Sequence, residues 1–346
     1  MAAGLMTGAA AAYLLFCPDR ARADAAAGLR LCAGLLIPAL LPYFVLSGLV
    51  IRSGFGPGRG GVTVMERLFH QPAAAMTPWL LGMTGGYPLG AGAAADLRRA
   101  GRLTRRQAQS CLAFSACCGP AFLVGVAGPM LGGSAAGLVL YLVHIVSAVL
   151  TGVILRPPKD GPTSRDAPAP PTTPPFPQAF VESVAAAASS LLTVCASVTC
   201  FTILGGAVQS LFSDSEPLRL LVSGLMELTN GCAAVARSGL SWQGKFTAVS
   251  AAAAWGGLSV AMQTAAVFRE TDLRLGPYLR AKALHSLLAA ALSVPAGLLL
   301  RPAVAVMAQE PVIVALSPWP WVLFSAAMVF LIFLQIPSGN SVKHGV

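Results

Sequence analysis

Seven stretches of this chain, residues 31–50, 111–130, 135–155, 179–211, 246–268, 284–300 and 319–336, are long, apolar and almost free of charge. A helix needs about 20 predominantly apolar residues to cross a bilayer core about 30 Å thick. In hydrocarbon only helices and closed barrels satisfy their own backbone groups. The chain is therefore expected to be an all-α, polytopic membrane protein with the lipid bilayer as its first partner. Composition agrees: 55% of the 346 residues are hydrophobic and 10% charged, and the mean hydropathy is +0.71, far more apolar than a soluble domain of this length.

The formal charge of +10 does not point to nucleic acid. The 23 Lys and Arg lie almost entirely in short connections between apolar stretches, with no interleaved aromatics, which is the pattern of the positive-inside rule. The eight cysteines contain no C-x-x-C pair, so neither a zinc site nor a disulfide framework has its spacing, and no metal or cofactor is expected. Residues 1–16 lack the basic start of a signal peptide and read as an uncleaved first helix, while Arg22-Ala23-Asp24-Ala25 leaves cleavage open.

Two further stretches, residues 76–95 and 218–236, are apolar but interrupted. The first holds Thr84-Gly85-Gly86-Tyr87-Pro88 at its centre and the second Glu227-Leu228-Thr229-Asn230-Gly231. Glycine and proline weaken a straight helix there. A hairpin that enters the membrane and leaves on the same side tolerates them, because irregular backbone is permitted at depth where it lines a cavity. Gly82, Gly86 and Gly90, spaced by four, equally suit a close-packing helix face. Glu227 is the only acid well inside an apolar stretch and is read as functional until a partner is named. Residues 111–130 and 246–268 are broken in turn, at Gly119-Pro120 and at Gly256-Gly257. Thr104 is placed to cap the helix after the most basic connection, which carries Arg98, Arg99, Arg102, Arg105 and Arg106 and is expected to be cytoplasmic.

These features recur in order. A long helix, an interrupted stretch and a broken helix appear before the proline-rich residues 157–177, which read as a solvated linker, and again after it. The expected organisation is an N-terminal helix and connection (1–24), a first repeat (25–156), the linker (157–177), a second repeat (178–301), and a C-terminal transmembrane helix and tail (302–346). If every stretch spans, the basic residues divide 14 to 9 in favour of the side of the five-arginine loop; if 76–95 and 218–236 are re-entrant hairpins, they divide 16 to 7. The second count moves the cluster at residues 269–282 to the same side and makes the halves inverted repeats, each with a re-entrant helical hairpin and a broken transmembrane helix, as in many secondary transporters.

Several motifs carry a family likeness: Gly85-Gly86-Tyr87-Pro88-Leu89-Gly90 with Ala94-Ala95-Asp96-Leu97, Leu112-Ala113-Phe114-Ser115 leading to Cys118-Gly119-Pro120, Glu227-Leu228-Thr229-Asn230-Gly231, and Gly256-Gly257-Leu258-Ser259-Val260 with Gln263. Over nearly the whole chain, from about residue 25 to 301, the sequence resembles the sporulation integral membrane proteins of the YlbJ and SpoVV type. Their halves are Gate, or nucleoside-recognition, domains. The resemblance implies an endospore-forming bacterium, a multi-pass protein of a bacterial membrane such as the outer forespore membrane, and carriage of dipicolinic acid.

For such a solute, helix ends and small residues that let backbone N–H groups approach are what the chemistry requires. Gly85, Gly86, Gly119, Asn230, Gly231, Gly256 and Gly257 offer them, beside Pro88 and Pro120 at the breaks. Thr84, Ser115, Thr229, Ser259 and Gln263 offer hydrogen bonds, Tyr87 and Trp255 aromatic faces, and Glu227 a site for a coupling cation or proton. Each has a plainer use: close packing for the glycines, bonding within the helix for the hydroxyls, interfacial anchoring for the aromatics. His144 and His285 read as isolated structural residues. There is no H-E-x-x-H, G-x-S-x-G or phosphate-binding loop, so no enzyme is expected. The competing reading is a non-transporting scaffold or signalling component of the spore envelope, and a homo-oligomer stays open.

Overall fold

The structure is a computed structural model that describes residues 8, 11–52, 64–158, 174–210 and 215–307. Most of the expected first helix, the glycine-rich residues 54–61, most of the proline-rich linker and the C-terminal helix at 319–336 lie outside the described residues. Every regular element among those described is helical.

Helix α1 (Pro18–Leu31) continues through a π turn (Cys32–Leu36) into α2 (Ile37–Arg52), which begins just before Pro38 and contains Pro42. Prolines supply no N–H to the ladder, and widened turns are one way a helix accommodates this. Next come α3 (Met76–Gly85) and α4 (Leu89–Arg99). At 1.5 Å per residue each is roughly 15 Å long, too short to cross alone. They fold back on one another: a Cβ placed on Gly90 would meet Gly82 Cα at 2.8 Å, and both glycines also abut the carbonyl of Ser115. The stretch is therefore broken at Gly86 and is not one ordinary spanning helix with Gly82, Gly86 and Gly90 on a single face; Gly82 and Gly90 pack the two arms together. Helix α5 (Arg105–Ser115) starts at Thr104, whose hydroxyl accepts from Gln107 N while Gln107 Oε1 accepts from Thr104 N, satisfying two otherwise orphaned donors. After a break, α6 covers residues 120–130 with a π turn in its middle, and α7 (Ser134–Ile154) completes the first half.

The second half repeats this order. The 34-residue α8 (Phe176–Gln209) is followed by a second hairpin, α9 (Glu216–Met226) and α10 (Leu228–Arg237), in which a Cβ on Gly231 would lie 2.5 Å from Gly224 Cα. Then come α11 (Trp242–Trp255), α12 (Gly257–Val267) and α13 (Leu275–Met307). Corresponding long helices pack on each other, α2 on α8 and α7 on α13.

Among the described residues, five helical runs are long and apolar enough to span a membrane: Pro18–Leu46, Arg105–Met130, Ser134–Ile154, Phe176–Gln209 and Leu275–Leu299. Their apolar faces point outward as well as inward. On α7, Leu138, Leu142, Val146, Leu150 and Ile154 form an exposed stripe at intervals of four, whereas Ala136, Leu140, His144, Ser147 and Thr151 are buried. A helix that is more polar inside than outside is solvated by lipid. The protein is an integral membrane protein.

The connections after α4 and α12 touch. Arg98 donates twice to the Asp272 carboxylate, at 2.9 and 2.8 Å, and Arg105 Nε donates to the Asp272 carbonyl at 3.0 Å. The five-arginine loop and the second basic connection therefore share one side. At that side too, His70 Nδ1 meets the Pro157 carbonyl and Ser110 Oγ that of Leu155.

Candidate functional site

Four interruptions position the site, and each has a local cause. Gly86 ends α3 with φ +79° and ψ −164°, a conformation open almost only to glycine. The segment 116–119 leaves helical geometry at Ala116 and re-enters at Pro120, the first residue of α6, where a missing N–H does no harm. Glu227 stands extended between α9 and α10 and caps α10, its carboxylate accepting from Asn230 N at 2.7 Å. Gly256 and Gly257 both have φ of +83° between α11 and α12.

The interruptions meet. A Cβ on Gly86 would sit 2.8 Å from Gly119 N; one on Gly257 would lie 3.1 Å from Glu227 Cα; one on Gly256 would lie 3.3 Å from Tyr87 Oη. Tyr87 thus ties the first hairpin to the second broken helix, with its hydroxyl also 3.3 Å from the Ala253 carbonyl. Between the interruptions is a pocket with a cavity volume of about 60 Å³. Its walls include Gly85, Gly86, Tyr87, Gly119, Glu227, Thr229, Ser259 and Gln263, completed by apolar side chains such as Leu40, Phe44 and Val194 from α2 and α8.

Of the residues singled out in the sequence, those eight line the pocket and the others support it. Thr84 Oγ1 bonds back to the Leu80 carbonyl at 2.8 Å, the in-helix use of a hydroxyl. Ser115 is buried, with its carbonyl against the hairpin glycines. Pro88 precedes α4 as its non-helical cap residue, and Pro120 is the first residue of α6. Asn230 bridges Glu227 Oε2 at 3.0 Å and Thr202 Oγ1 at 2.6 Å, while Gly231 packs on Gly224, and Gly256 and Gly257 provide close approach. Trp255 Nε1 donates to the Leu225 carbonyl at 3.3 Å. Glu227, 3% exposed, has the partner that the sequence left unnamed: the start of its own following helix.

His144 and His285 are not isolated, which corrects the sequence reading. Their ring centroids are 4.6 Å apart, and His285 Nδ1 is 3.1 Å from the Nζ of Lys282, which is fully buried rather than part of a solvated basic connection. His144 Nε2 accepts the N–H of Cys118 at 2.9 Å, fixing the first broken helix. The signal available in the sequence was the spacing of Tyr278, Lys282 and His285, three positions on one helical face. No three His, Cys, Asp or Glu among the described residues are grouped to hold a metal ion.

Compared with known proteins, the chain is similar to the sporulation integral membrane protein YlbJ of Bacillus subtilis (strain 168), with 27% identity over 306 residues, covering 76% of this chain and 74% of the relative. No family model and no solved structure matches the chain. The YlbJ likeness carried by the motifs is thus matched by similarity over about three quarters of the chain.

Proposed function

Taking similarity to the YlbJ-type sporulation integral membrane proteins as the premise, we propose that this protein is a membrane carrier, and not an enzyme, for a small organic anion. Dipicolinate is the solute that the resemblance favours, moved across the outer forespore membrane during spore formation. The observation that carries the reading is the meeting of four helix interruptions around one pocket inside an otherwise apolar chain. Non-helical backbone at membrane depth has a use where it lines a solute path.

The pocket's polarity suits an anion with a coupled cation or proton. Ser259 and Gln263 of α12 line the pocket with side-chain hydrogen-bond donors that suit a carboxylate. The start of α10 is taken by the Glu227 carboxylate, which makes Glu227 the place for a coupling cation or proton. The sharing of one side by the two basic connections supports a second hairpin that returns to its own side, the contact of His70 with Pro157 supports the same of the first, and together they support the inverted relation of the halves. The test is uptake of labelled pyridine-2,6-dicarboxylate by vesicles holding the purified protein. Saturable uptake that Gly257→Val abolishes is expected; uptake no greater than in empty vesicles, for this and a panel of aromatic and aliphatic carboxylates, sinks the carrier reading in favour of a scaffold.

A further inference from the structure

Lys282 has no part in the reading above, yet it is the one lysine among the described residues that is fully buried. Its Nζ donates to the Ala116 carbonyl at 2.9 Å, lies 3.1 Å from His285 Nδ1 and sits 5.0 Å from the centre of the Tyr87 ring. A carbonyl, an imidazole nitrogen and a π face provide for the three hydrogens of an ammonium. With Nδ1 accepting, His285 carries its proton on Nε2, directed at the His144 carbonyl 3.2 Å away. His144 accepts from Cys118 N on Nε2 and so carries its proton on Nδ1, which is buried and has no partner. Both imidazoles are thereby neutral.

No carboxylate among the described residues balances this charge. Lys282 belongs to none of the ion pairs among the described residues, and the titratable groups around it are Tyr87 of the first hairpin, Cys117 and Cys118 of the break, His144 of α7, and Tyr278 and His285 of its own helix. An ammonium out of water without a counter-charge is costly to keep. Tyr87 and Cys118 are also walls of the pocket. Resting on the carrier reading, we propose that Lys282 is the fixed positive charge that selects an anionic solute, acting from behind the Tyr87–Cys118 wall and without touching it.

The size of the effect follows from the geometry. An anion resting against Tyr87 from the pocket lies on the order of 8 Å from Nζ, and at an effective dielectric constant of about 20 this attraction is worth about thirty-fold in affinity. A neutral molecule of the same shape gains none of it. The experiment compares binding of pyridine-2,6-dicarboxylate and its uncharged diamide to the purified full chain in detergent, for wild type and Lys282→Gln, which retains a donor for Ala116 or His285. The expected result is a loss of at least about thirty-fold for the dicarboxylate, whose second carboxylate adds to the attraction, with less than two-fold change for the diamide. Equal weakening of both ligands, or of neither, overturns the proposal and leaves the carrier reading standing. If Lys282→Gln does not fold, the wild type decides: a preference for dicarboxylate over diamide below about five-fold overturns it. A wild type that binds and transports no carboxylate at all overturns the carrier reading and this proposal together.

Discussion

Gly90→Ala and Gly92→Ala are the same substitution two residues apart on α4, and the structure assigns them opposite signs. A methyl group on Gly90 would meet the Ser115 carbonyl oxygen, Gly82 Cα at 2.8 Å and Pro78 O at 2.9 Å. All are backbone atoms, so no side chain can turn aside and the hairpin arms must part. Overpacking of this kind costs about 3 kcal/mol at the upper end of its usual range, against about 1 kcal/mol gained because alanine favours the helix; the net loss is about 2 kcal/mol. Gly92 has nothing within 4 Å of the added carbon, so only the gain of about 1 kcal/mol remains. At about 2–4 °C per kcal/mol, Gly90→Ala lowers the unfolding midpoint by about 4–8 °C and Gly92→Ala raises it by about 2–4 °C. Tryptophan fluorescence of the purified protein during heating in detergent measures both. A midpoint for Gly90→Ala at or above wild type would show that α3 and α4 do not pack backbone to backbone, and the folded-back hairpin would have to be abandoned.

Three further outcomes are expected. Glu227→Leu removes the cap of α10 and destabilises by about 1–2 kcal/mol, whereas Glu227→Gln retains an acceptor and loses less; if the Gln variant also keeps wild-type uptake at every pH and sodium concentration, Glu227 serves only as a cap. The Arg98 guanidinium bonded to Asp272 holds that carboxyl below the usual carboxylate range, so the contact is fully present above about pH 4 and is lost as pH falls through the lowered value. Asp272→Asn should flatten the melting midpoint between pH 6 and pH 3, by a small amount because the pair is partly exposed; an unchanged acid profile counts against the contact. In a cysteine-free background, Arg102→Cys and Glu270→Cys should react with an impermeant maleimide from the same side of the membrane and Asp24→Cys from the other, and labelling of 102 and 270 from opposite sides contradicts the fold.

How much of this was legible in the sequence depended on where the information is stored. The interruptions are largely written in local chemistry: Gly85-Gly86, Gly119-Pro120 and Gly256-Gly257 announce breaks because few residues tolerate or induce them, whereas Asn230-Gly231, expected to break the second hairpin, lie inside α10, and the chain turns instead at the extended Glu227. The capping role of Thr104 was readable for the same reason, since donor and acceptor are three residues apart. Glu227 was noticed as a charge at depth, but its cap on α10 depends on an extended backbone that the sequence only suggests. Lys282, His285 and His144 were missed because their meeting is tertiary. Two come from α13 and one from α7, and the carbonyl that accepts from Lys282 belongs to Ala116, 166 positions away. Counting Lys282 with its basic neighbours hid its place on an inward face of a helix.

The pocket's walls at Gly85, Gly86 and Gly119 offer main chain where most binding sites offer side chains. A peptide N–H or carbonyl cannot be replaced by mutation; it can only be covered. On the carrier reading, selectivity would be retuned by volume: a methyl group at one of these glycines would cover a polar group and narrow the space in the same step, while the remaining main-chain groups stayed unchanged. Such a lining would keep its polarity through changes in the side chains around it, so long as the small residues at the breaks remain small.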